Sequence, residues 1–146
     1  MNPNPTRTAR ILTLSGILPF AIGAAGHWLA PELAPWLVWT RGYGAVIAAF
    51  IAGIHWAVHL FFAARTPLNL LVSSNVLALA AWLALLLPAG PAPFLLLVAV
   101  FAALLAVDRA LHRAELIPAW FYRLRIQASS AVVLCLLAMA AAAAGV

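Results

Sequence analysis

Charge is what this sequence has least of. Only 8% of its 146 residues are charged, three of them acidic, and every basic residue outside the four histidines is an arginine. A soluble domain carries roughly 25% charged residues, and a fold of this length leaves much of its surface in water. So few charges exclude a water-soluble globular domain. Cysteine is almost absent as well. One thiol, Cys135, can form neither an internal disulfide nor a metal cluster, and inside an apolar run it reads as small filler. Apolar–polar alternation is missing too, and with it the roughly ten-residue pattern of a membrane barrel strand. What is present is 67% hydrophobic residues in long Leu/Ala/Val runs, with a mean hydropathy of +1.10. Hydrocarbon satisfies no backbone polar group, whereas a helix satisfies its own. The expected fold class is all-α, an integral membrane helical bundle.

A bilayer core about 30 Å thick needs roughly 20 residues per helical span. Five stretches meet that length, at residues 11–30, 42–64, 67–87, 93–111 and 126–146, in a single domain covering residues 1–146. Thr66 before Pro67 has the form of a helix N-cap. The run Pro88-Ala89-Gly90-Pro91-Ala92-Pro93 can only turn, so the third and fourth spans form an antiparallel hairpin. The first run is longer than the 7–15 apolar residues of a signal peptide and contains Pro19, so it is read as a retained span. Pro19 should kink it, free the Ser15 carbonyl and border a cavity.

Arginine sets the orientation. Arg7, Arg10, Arg65, Arg109, Arg113, Arg123 and Arg125 fall on one side of the five spans, and only Arg41 on the other. The basic side faces the cytoplasm. The N-terminus is then inside and the C-terminus outside, and the expected location is a bacterial inner membrane crossed several times. Trp28, Trp36 and Trp39 form the outer aromatic belt, and Trp120 and Tyr122 the inner one. Arginines at span ends read as topology signals, so the formal charge of +5 does not imply nucleic acid. Arg41 should snorkel outward, with Glu32 as a partner. Within the connection from 108 to 125, Arg109, Arg113, Arg123 and Arg125 are expected to contact anionic lipid, with residues 116–122 at headgroup depth and His112 pairing with Asp108.

Several of these segments carry a resemblance. Gly16-Ile17-Leu18-Pro19-Phe20, Tyr43-Gly44, Gly53-Ile54-His55-Trp56 and Asp108 with Leu116–Arg125 together resemble the family called domain of unknown function 3429, which includes the mitochondrial transmembrane protein 69. The resemblance runs over about residues 10 to 140. It implies a multi-span inner-membrane protein and brings no catalytic residues with it.

Polar groups inside a membrane are expensive, so their placement is informative. At about 1.5 Å per residue, His59 and His55 lie roughly 9 and 15 Å above the inner end of the second span. Ser73, Ser74 and Asn75 lie at similar depth on the third, and Thr13, Ser15, Gln127, Ser129 and Ser130 share that inner half. Arg41, Gly44, Ala48, Ala52, His55 and His59 fall on one face of the second span, with Ala45, Ala49, Gly53 and Ala57 beside it. Small residues there point to a central helix with its histidines turned inward. One reading makes the layer structural, with His55 bonding Asn75 across helices and Ser or Thr bonding their own backbone. The other makes His55, His59, Asn75 and Ser74 the headgroup site for a bound quinone or lipid. His27 lies roughly 24 Å up, too far from His55 to share a haem, and no acid or thiolate joins His55 and His59 as a metal ligand.

No nucleophile–base–acid set is readable, and Glu32, Asp108 and Glu115 are expected at or beyond the span ends, so no catalytic residue is assigned. Without an intramembrane acid or an even repeat, a transporter is disfavoured. Two functional expectations result. The first is a non-catalytic accessory subunit or assembly factor with other inner-membrane subunits as partners. The second is a quinone- or lipid-binding protein with a polar pocket in the inner leaflet.

Overall fold

In a computed structural model, which describes residues 5–145, the chain is a bundle of helices joined by short turns. The helices are α1 (Pro5–Ser15), α2 (Leu18–Leu29), α3 (Trp36–Phe62), α4 (Leu70–Leu86), α5 (Ala92–Arg113) and α6 (Ala119–Ala144). Short 3₁₀ turns occupy Pro31–Leu33 and Ala63–Arg65. Four segments, Thr6–Leu29, Trp36–Arg65, Ala92–Arg113 and Ala119–Ala144, are long and apolar enough to cross a membrane. α4, at 17 residues, is the fifth apolar helix. Its length of about 26 Å is a little short of the hydrocarbon core, a mismatch a bilayer accommodates at small cost. The protein is a multi-pass membrane helical bundle.

The five helical segments lie where the sequence places them, with shifted ends. The second begins at Trp36 rather than Gly42, because Pro35 is the last residue outside the helix. The fourth connection is shorter than expected. Residues 119–122 are the first turn of α6, immediately after Pro118, so α6 starts seven positions before Ile126. The expected end of that span at Val146 lies outside the described residues. Thr66 is not the cap of α4. That role falls to Asn69, whose Oδ1 accepts from the Leu71 and Val72 amides at 3.1 and 3.2 Å, while Thr66 Oγ1 donates to Ala63 O at 3.0 Å.

The first span breaks where Pro19 predicts. α1 stops at Ser15, and α2 restarts at Leu18. Phe20 N turns back to Ile17 O at 3.1 Å in a tight 3₁₀-type bond. That leaves Gly16 O for another donor, and Tyr43 Oη supplies it from α3 at 3.1 Å. The freed carbonyl with a cross-helix partner is thus that of Gly16.

Lipid removes the hydrophobic driving force between helices, so packing contacts and cross-helix hydrogen bonds hold the bundle together. α4 packs between α3 and α5, and α2 packs between α3 and α6. α3 and α5 touch across the middle. Phe20, Leu97, Phe101, Leu104, Leu136 and Met139 fill the centre, with Phe20 edge-on to both Tyr43 and Phe101. Of the expected inward face of α3, Gly44, Ala48, Ala52 and His55 are buried, while Arg41 and His59 at its two ends are half-buried. Of the neighbouring ladder, Ala45 is buried, whereas Ala49, Gly53 and Ala57 are exposed. Where α2 crosses α3, the glycines are required. A Cβ on Gly23 would collide with Thr40, and one on Gly26 would meet the Trp36 ring at 2.6 Å. The outer surface is apolar, with Leu29, Phe50, Phe61 and Leu134 among the most exposed side chains.

α1 stands apart from the rest. Beyond the break it packs on α6 and leaves α3. A gap between α1 and α3 is the result.

Candidate functional site

Three side chains from three helices meet in the half of the bundle nearer its arginine-rich end. His55 lies on α3, Asp108 on α5 and Arg125 on α6. Each is about 8–11 Å from the basic-side end of its helix by the helical rise. His55 Nε2 donates to Asp108 Oδ1 at 2.9 Å, and Arg125 Nε donates to Asp108 Oδ2 at 2.8 Å. Both carboxylate oxygens are therefore engaged. All three residues are buried, at 1%, 3% and 7% exposure. A charge in hydrocarbon must be paired, and opposite charges with hydrogen-bonding geometry are how a membrane protein tolerates one.

The pairing is incomplete on its outer side. Arg125 Nη2, Ser129 Oγ and His55 Nδ1 are buried without a hydrogen-bond partner. Arg125 and Ser129 are one turn apart on α6, so their side chains share a face. Both line the gap between α1 and α3, a cleft of about 290 Å³. Its other walls are almost wholly apolar: Leu12 and Thr13 from α1, Ile17 at the break, and Ile47, Phe50 and Ile54 from α3. Phe50 is 68% exposed, so the cleft opens sideways toward lipid. A concave apolar chamber with a few convergent polar groups is the usual form of a small-molecule site. The Pro19 break borders this cavity, as the sequence implies.

The residues expected to form a headgroup site are dispersed. Asn75 is exposed, with Nδ2 donating to Leu71 O at 2.7 Å on its own helix. Ser74 is buried and donates to Leu71 O at 3.2 Å. His59 Nδ1 lies 3.3 Å from Thr66 Oγ1. Of that set only His55 belongs to the polar centre, and its partner is Asp108 rather than Asn75. The Ser residues of α4 do bond their own backbone, because a short hydroxyl reaches the preceding turn.

The arginines also divide. Arg109, Arg113 and Arg123 are exposed at the basic end, Arg109 and Arg113 side by side on one groove of α5. Arg125 is a correction: it is buried against Asp108, not spread on the membrane surface. Asp108 is another, since it lies inside the bundle and not at its boundary. His112, expected to pair with Asp108, instead donates Nδ1–H to Ile117 O at 3.3 Å and stacks on Tyr122 at 4.8 Å. At the opposite end of the bundle, Arg41 Nη1 donates to Leu87 O at 3.2 Å rather than to Glu32. Among the described residues, no three His, Cys, Asp or Glu side chains are close enough together to hold a metal ion.

The family described as Protein of unknown function (DUF3429) matches residues 5–141. The chain belongs to this family. No curated protein and no solved structure matches it. Within this family member, the buried polar centre joins the segments that carried the resemblance: His55 comes from one, Asp108 and Arg125 from another, and the Gly16–Phe20 break forms the wall opposite.

Proposed function

We propose that this DUF3429 protein binds a membrane-soluble amphipathic molecule, a quinone or a lipid, in the cleft between α1 and α3. The observation that carries the reading is a pair of unpartnered buried groups, Arg125 Nη2 and Ser129 Oγ, on two residues that line an apolar cavity open to lipid. A buried donor without an acceptor costs roughly 1–3 kcal/mol, more when charged. A ligand whose head accepts from these groups removes that cost, and its tail lies along apolar walls. Entry from the bilayer needs no passage through water. The inner membrane is the proposed location, on the arginine asymmetry, with the cleft in the cytoplasmic leaflet.

The test is mass spectrometry of an organic extract from protein purified in mild detergent, wild type against Ser129→Leu. The leucine side chain would enter the cleft and remove a polar partner. A stoichiometric lipophilic compound in wild type, lost in the variant, is the expected result. Absence of any specific compound from both overturns the reading. The short connections between helices would then favour an accessory subunit or assembly factor of an inner-membrane complex, which stable co-purification of a large partner would reveal.

A further inference from the structure

On the reading that the cleft takes an amphipathic ligand, the charges around its polar end decide what head that ligand carries. Arg125 is the one charged residue among those lining the cleft. Alone, a guanidinium in a low-dielectric wall would attract phosphate or carboxylate. It is not alone. Asp108 Oδ2 sits 2.8 Å from Arg125 Nε, and Asp108 is buried to 3% exposure. His55 Nε2 donates to the other carboxylate oxygen, and the single charge of Arg125 is already offset by Asp108.

We propose that the cleft selects an uncharged carbonyl head, of the quinone class, and rejects anionic lipid heads, with Asp108 as the selecting residue. An anion at Arg125 Nη2 would be the second negative charge on one guanidinium and would stand close to the Asp108 carboxylate. In the membrane interior that leaves one charge uncompensated. An uncharged carbonyl escapes this cost. It needs one donor, which Arg125 Nη2–H provides, and Ser129 Oγ–H offers a second to the same oxygen or to a neighbouring ether oxygen. A flat ring fits the apolar space beside Phe50 and Ile54, which open toward lipid for the tail.

The experiment uses the full chain in mild non-ionic detergent and two probes with the same tail, a decyl-substituted benzoquinone and decyl phosphate. Native mass spectrometry measures retention of each, singly and in competition, on wild type and Asp108→Asn. Wild type should retain the quinone at least about tenfold better than the phosphate, the ratio corresponding to about 1.4 kcal/mol. Asp108→Asn leaves Arg125 uncompensated and should move the preference toward phosphate. Equal or better retention of decyl phosphate by wild type overturns the selection while leaving the cleft as a lipid site. Retention of neither probe overturns the cleft reading and the selection with it. An unchanged quinone preference in a folded Asp108→Asn protein removes Asp108 from the role of selector. If that variant does not fold, the wild-type ratio decides by itself.

Discussion

Arg125 and Asp108, on consecutive helices and seventeen positions apart in the chain, meet in the bundle interior with Arg125 Nε 2.8 Å from Asp108 Oδ2. Each alone would be an isolated charge in hydrocarbon. Removing one partner of such a pair costs about 3–5 kcal/mol, because the other stays buried without compensation, whereas an apolar replacement of both is often close to neutral. Asp108→Leu and Arg125→Met should therefore each lower thermal stability in detergent sharply. The double variant should be more stable than either single one. Strictly additive losses would mean that the two charges do not depend on each other.

Glycine substitutions separate contact from propensity. Gly26→Ala should destabilise, since the new methyl meets the Trp36 ring at 2.6 Å in the α2–α3 crossing. Gly53→Ala, in mid-α3 with nothing within 4 Å of the added carbon, should stabilise by about 0.5–1 kcal/mol through helix propensity. Thermal denaturation of the two variants side by side checks the opposite signs.

Tyr43→Phe deletes the one hydroxyl bonded to Gly16 O across the Pro19 break. A loss of about 0.5–1.5 kcal/mol is expected. Because the bond ties the break to α3, hydrogen exchange should rise in residues 14–20 more than in α4. Uniform exchange across the bundle would show that the tyrosine does not hold the break.

Orientation is open to labelling. In a Cys135→Ala background, single cysteines at Arg113 and Ala34 lie at opposite ends of the bundle. A membrane-impermeant thiol reagent added outside intact cells should label position 34 and spare position 113, as the arginine asymmetry requires. The reverse pattern would invert the topology.

Much of this bundle is legible in the sequence because lipid imposes simple rules: apolar length gives the helical segments, and Pro19 the break. The polar centre was less legible. A fourth connection running from 108 to 125 puts Asp108 and Arg125 at the surface. The signal that corrects this is periodicity. Asp108 follows Leu97, Phe101 and Leu104 in the i, i+4 and i, i+3 spacing of one buried stripe, and Arg125 precedes Ala128, Val132, Leu136 and Met139 in the same way. Pro118 as the residue before α6 then places Arg125 nearly two turns inside. No pattern in the sequence could pair His55 with Asp108 over Asn75. Both candidates lie at accessible depth, and only the packing of α3 against α5 chooses between them.

The proposed function requires a specific ligand in the cleft between α1 and α3. Its most direct test places a photo-reactive amino acid at Ala128, which lines the cleft, and another at Leu134, which faces lipid at 68% exposure, and irradiates each in native membranes. A defined small lipophilic adduct at position 128, against a mixture of bulk phospholipids at position 134, is the predicted outcome. The same phospholipid mixture at both positions would contradict it.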